Sequence, residues 1–263
     1  MDEKRLPLTE HLAELRTRLF RILLAWLVAS AVAWSVSEEI FRLLLKPAIE
    51  ALGEGERTLQ AIAPTEIFFT YLKCALLAGF LFALPVVFWQ IWAFVAPGLY
   101  PREKNAILPF VSISTLLFLG GAAFGYAVVF PLMFEFFTAF DSPFVQSAWT
   151  MRETFSLITH LFLAFGAAFE LPVVVFFLAL VGIVDARTMW RHTPYAILAV
   201  FVVAAVLTPT PDWVTQCLLA GPMVVLYLLG VGVAWAFAGG GRGRSATSSA
   251  VEPLKGETPG GLE

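Results

Sequence analysis

Charge is what this chain has least of: Asp, Glu, Lys and Arg make up 14% of its 263 residues, 59% are hydrophobic, and the mean hydropathy is +0.81. A soluble domain carries about a quarter charged residues, so an ordinary water-soluble fold is excluded. The chain also lacks a phosphate-binding glycine loop, a cluster of metal-ligand side chains, and a nucleophile with a base in reach. It therefore reads as no enzyme, with no metal or other cofactor. No basic stripe marks a nucleic-acid partner. Cysteine is nearly absent. Cys74 and Cys217 fall near the expected outer ends of their helices, where they either pair or stay as buried thiols.

Long apolar runs are abundant. Six approach or exceed the roughly 20 residues that cross about 30 Å of hydrocarbon: Phe20–Ser37, Ile67–Val95, Ala106–Met133, Leu157–Val184, Thr193–Thr208 and Trp213–Phe237. The fifth reaches only about 24 Å at 1.5 Å per residue, short for an average bilayer. Lys4, Arg5, Arg16, Arg18, Arg21, Arg102, Lys104, Arg187, Arg191, Arg242, Arg244 and Lys255 then fall on one side, against Arg42, Lys46, Arg57 and Arg152 on the other. By the positive-inside rule both termini are cytoplasmic, and an even number of spans closes that topology. Residues 1–31 also have the outline of a cleaved signal, but the apolar pattern continues to Val36, which favours a span.

Residues 1–237 read as one all-α membrane domain, and 238–263, rich in Gly, Ser and Pro, as a disordered cytoplasmic tail. Pro85, Pro109, Pro131, Pro172 and Pro222 lie within spans, so the helices should be kinked and the bundle concave. In the acidic first external loop, Ile40–Leu45 and the break expected at Lys46-Pro47 point to a short helix capping the outer surface.

Against this apolar background a few polar residues stand out. Glu170 sits mid-span, where a charge costs about 2.5 to 3.5 kcal/mol on insertion scales and usually has a function. Gly166 and Ala167 lie one turn back on its face, and Pro172 frees the carbonyl of Ala168. Leu8, Leu12, Leu15 and Leu19 share a face opposite Glu10, Glu14 and Arg18, the pattern of an interfacial helix. Glu14 to Arg18 is a favourable i, i+4 pair, and Glu103 suits a first helical turn after Pro101. Those structural roles explain each acid alone. Together on one cytoplasmic surface, the two carboxylates would accept forked hydrogen bonds from guanidinium groups. His160 reads as an outer-leaflet hydrogen-bonding residue, Lys73 as a snorkelling side chain, and Thr65-Glu66 as a helix cap.

Several separated motifs, in order, match one family. They are His11-Leu12-Ala13-Glu14-Leu15-Arg16-Thr17-Arg18-Leu19, Ala96-Pro97-Gly98-Leu99-Tyr100 through Arg102-Glu103, Phe165-Gly166-Ala167-Ala168-Phe169-Glu170-Leu171-Pro172-Val173, Arg191-His192-Thr193-Pro194-Tyr195 and Leu207-Thr208-Pro209. Over roughly residues 6–237 the chain resembles TatC, the multi-spanning receptor subunit of the twin-arginine protein translocase. The resemblance implies six transmembrane helices in a glove-like cup in the bacterial cytoplasmic membrane, no cofactor, and export of folded proteins driven by the proton-motive force. It implies TatA and TatB, single-span subunits, as partners in an oligomeric complex. It places twin-arginine signal peptides at Glu14 and Glu103, with Arg16 beside them, the embedded functional acid at Glu170, partner-helix docking at Thr208 and Gln216, and an external-cap proline at Pro47. The turn Thr208-Pro209-Thr210-Pro211-Asp212 is one residue longer than the family pattern. Topology and Glu170 alone would equally suit a proton-coupled small-molecule transporter, and a structural scaffold is a third reading.

Overall fold

No proline or glycine interrupts residues 8–34, and a single straight run of helix results, α1 (Leu8–Trp34). The computed structural model describes residues 8–51, 59–95, 107–140, 142, 148–181, 186–207 and 213–238. After α1 come α2 (Ser37–Ala51), α3 (Pro64–Val95), α4 (Ile107–Phe124), a π turn (Gly125–Val129), α5 (Phe130–Thr138), α6 (Met151–Phe169), α7 (Leu171–Leu180), α8 (Ala186–Arg191), α9 (Thr193–Leu207) and α10 (Trp213–Ala238). The described residues contain no strand, only isolated bridge residues: Gln60 pairs in parallel with Thr150, and Ser142 is a further bridge residue. This is what hydrocarbon demands, because a helix satisfies its own backbone.

Five helical stretches are long and apolar enough to cross a bilayer: Glu10–Trp34, Pro64–Val95, Leu108–Thr138, Met151–Ala179 and Gln216–Trp235. The fifth expected span, α9, is apolar throughout but has 15 residues, about 22 Å. α1 packs chiefly on α3, α4 on α6, α10 on α7 and α9, and α2 closes over α3 and α5. The core lies where α2, α5 and α6 meet, around the fully buried Leu45, Phe130, Met133, Phe134, Ile158, Leu161 and Phe165. Several close approaches need glycine, two of them between separate helices that the site depends on. A Cβ on Gly166 would strike the Phe118 ring, and one on Gly79 would strike Ser30. Elsewhere Leu12, Phe20, Val32, Phe82, Leu116 and Val206 are exposed, as lipid-facing residues are.

Three expectations need correction. The amphipathic segment from Leu8 is the first turns of α1 and not a separate surface helix, because nothing in the sequence stops the helix between them. The capping helix exists as α2, but it runs through Pro47 instead of breaking there. Both cysteines are free, Cys74 buried and Cys217 exposed, so they neither pair nor are both buried.

Helix α2 tolerates its proline through a distant partner. Pro47 has no N–H for the carbonyl of Leu43. Tyr126, in the π turn just before Pro131, donates its hydroxyl to that carbonyl at 2.6 Å. We expect Tyr126→Phe to destabilise the protein by about 1 kcal/mol in denaturant unfolding in detergent. Adding Pro47→Ala, which restores the N–H, should recover part of that loss; strictly additive effects would refute the coupling.

Candidate functional site

Helical spacing brings the first acid to its partner. Glu14 Oε1 accepts from Arg18 Nε at 2.9 Å and also from the guanidinium terminus, one turn on along α1. Among the described residues, Glu14 Oε2 has only His11 Nδ1 near it, at 3.9 Å. His11 is itself stacked on Phe94 of α3, ring centroids 4.4 Å apart and 18° from parallel. Arg18 reaches across to Gln90 Oε1 at 3.4 Å. The result is a carboxylate 30% exposed, one oxygen committed and the other open, with its cation anchored to the neighbouring helix. Arg16 is exposed beside it. Glu103 lies outside the described residues.

The second acid occupies a break. α6 ends at Phe169 and α7 begins at Leu171, with Glu170 between them as a turn residue and Pro172 following. Its carboxyl faces the Ser114 hydroxyl and the backbone of Phe118 on α4, and Oε1 is buried without a hydrogen-bond partner. Ser114 is fully buried and accepts from Trp92 Nε1 at 3.1 Å. Because an indole only donates, it takes a lone pair of the serine and leaves the serine proton for the carboxyl. A polar chain thus runs from α3 through α4 to the α6–α7 break, in surroundings where such contacts are strengthened by low dielectric.

Gln216 Nε2 donates to the carbonyl of Phe201 at 3.0 Å and ties α10 to α9. Thr208, expected alongside it, lies outside the described residues. His160 hydrogen-bonds the Ser156 carbonyl through Nδ1 at 2.8 Å. No group of three or more His, Cys, Asp or Glu suited to a metal occurs among the described residues.

Sequence reasoning missed three residues. Trp92 and Ser114 carry no local signal of their pairing. Glu66 was read as a helix cap, and Oε2 does accept from Ile62 N at 2.9 Å, but Oε1 also accepts from Arg152 N at 2.8 Å and joins the loop before α3 to the start of α6.

Residues 10–222 match the family model described as Sec-independent protein translocase protein (TatC). The chain belongs to the TatC family. It is 43% identical over 230 residues to a Sec-independent protein translocase protein TatC of Desulforapulum autotrophicum, covering 88% of this chain and 84% of that protein. It is 42% identical over 234 residues to the corresponding protein of Koribacter versatilis, covering 88% and 86%. The fold superposes on a crystal structure of a twin arginine translocase receptor, TatC, with a TM-score of 0.76 and 34% identity, covering 86% of this chain and 98% of that one. This TatC-family chain is therefore a multi-pass membrane protein of a translocase receptor family, not an enzyme.

The Trp92–Ser114–Glu170 chain makes a stability prediction. Ser114→Ala orphans the Trp92 N–H and removes a partner of Glu170, which should cost about 1 to 3 kcal/mol. Trp92→Phe on top of it should cost less than it does alone. Thermal unfolding of the double-mutant cycle measures this, and independent losses would refute the chain.

Proposed function

We propose that this chain is the receptor that captures twin-arginine signal peptides at the cytoplasmic face of a bacterial cytoplasmic membrane. The observation that carries the reading is Glu14 near the start of α1, where Arg18 holds one carboxylate oxygen and the other has no hydrogen bond among the described residues. A guanidinium approaching Oε2 gains a charge-assisted, directional bond that an ammonium matches poorly. Glu103 supplies the second carboxylate, and Arg16 orients the peptide backbone. The topology has six spans, α9 included, with both termini cytoplasmic, as one membrane domain over residues 1–237 with a cytoplasmic tail from 238 to 263. α2 with Pro47 is the external cap. TatA and TatB dock their single helices near Thr208 and Gln216. Gln216 commits its amide nitrogen to Phe201 and keeps its oxygen for a partner.

Glu170 acts within the membrane, where its buried Oε1 lacks a partner. Its role is to receive a polar group of the moving complex or water in an otherwise dry site.

An Arg-Arg signal peptide should bind the purified protein at least tenfold more tightly than its Lys-Lys counterpart, a difference of about 1.4 kcal/mol. That preference should vanish in Glu14→Ala/Glu103→Ala. Equal, weak binding of both peptides to both proteins would instead favour a small-molecule transporter. Separately, Glu170→Ala should lower export of folded cargo while leaving peptide binding intact, and undiminished export would remove Glu170 from the mechanism.

A further inference from the structure

A lateral groove of about 410 Å³ opens between α1, α3 and α6, and no role above uses it. Trp26, Phe80 and Leu163 form its apolar floor, and Lys73, Thr159 and His160 line its polar end. Lys73 is exposed and has no ion-pair partner among the described residues. Thr159 Oγ1 is buried without a hydrogen-bond partner. His160 uses Nδ1 on the Ser156 carbonyl. Trp26 donates its Nε1–H to the carbonyl of Leu76 at 2.8 Å, so the floor is pinned to α3.

The groove itself is lined by no carboxylate. The neighbouring outer pocket shares Lys73 and holds Glu66, Arg152 and Glu153. There Glu66 is directed to two backbone N–H groups, and Glu153 lies 3.8 Å from Arg152. Lys73 therefore lines both cavities, and among the described residues its ammonium makes no ion pair in either. α3 has 32 residues, about 48 Å of helix against about 30 Å of hydrocarbon. Centred on the bilayer, it places Lys73 within about 5 Å of the headgroup boundary, a distance its own stem spans.

From chain interior to surface the groove thus runs from apolar floor to cation. That order is the order of an acyl chain and a phosphate. We propose that this groove binds one membrane glycerophospholipid, its phosphodiester on the Lys73 ammonium and one acyl chain along Trp26, Phe80 and Leu163. The lipid comes from the leaflet that the α1–α2 turn faces. A transmembrane helix is the poorer fit, being about 10 Å across before it meets a groove of this size. The site is independent of the signal-peptide reading.

Native mass spectrometry of the full chain from uncharged detergent, titrated with phosphatidylglycerol or phosphatidylethanolamine, tests this. One tightly held lipid is expected from either headgroup, and none from diacylglycerol. Lys73→Met should raise the lipid concentration for half occupancy about tenfold, Lys73→Arg should restore it, and Lys46→Met, on α2 outside the lining of the groove, should leave it unchanged. Equal occupancy in Lys73→Met, or equal retention of diacylglycerol, would overturn the proposal. Displacement by inorganic phosphate would make the groove a free-anion site instead. Absence of any lipid adduct, with carbodiimide coupling of Lys73 to an acidic membrane peptide, would make it a helix-docking site.

Discussion

Hydrocarbon offers no hydrogen bond to an unpaired backbone group, so every carbonyl loosened in the membrane must be answered by another part of the chain. Contacts of one kind recur here, a side-chain donor from one helix bonded to a main-chain carbonyl of another, and at Leu43 the carbonyl is one that a proline has freed. Trp26 reaches Leu76, Tyr126 reaches Leu43, Gln216 reaches Phe201, and Tyr227 reaches Met189 in the last turn of α8. Helices that gain little from burying apolar surface, because lipid is as apolar as they are, are registered instead by these directional contacts and by close small-residue packing. The prolines matter for the same reason. Pro47 creates a vacancy, and the π turn before Pro131 carries the residue that fills it.

The two acids of interest occupy opposite regimes of that solvent. Glu14 stands at a helix end, part exposed, with its charge compensated by Arg18 at a cost and gain that water keeps small. Its value is geometric: the committed oxygen fixes the plane of the carboxylate, and the open one is presented in a known direction. Glu170 is set in a helix break among Ser114, Phe118 and Phe169, where a single unmet acceptor matters far more. One site is suited to exchange partners readily, the other to hold a state until something changes it.

Much of this was legible in the sequence because membrane helices announce themselves by length and hydropathy. The Glu14–Arg18 pair followed from i, i+4 spacing, a loosened helix beside Glu170 from Pro172, though not the break itself, and α2 from the apolar stretch Ile40–Leu45. The interfacial helix failed because amphipathicity alone does not end a helix that lacks a breaker. Passage of α2 through Pro47 was not legible because the compensating hydroxyl lies 83 residues away. The same distance problem hid the Glu66 bond to Arg152, 86 residues on, and the Trp92–Ser114 pair, since single polar residues in apolar segments give no sign of which neighbour they meet.

The contact between Ser30 and Gly79 is so close that it leaves no room for a Cβ on the glycine. Toward the other end of α1, the link from Arg18 to Gln90 is a long 3.4 Å. Between these points Trp26 bonds the Leu76 carbonyl, and beyond Arg18 the His11 ring stacks on Phe94, so α1 is held to α3 along its length. Glu14 is thereby seated between helix-to-helix contacts on either side of it, its place relative to α3 set by packing that continues about 24 Å along the helix to Ser30.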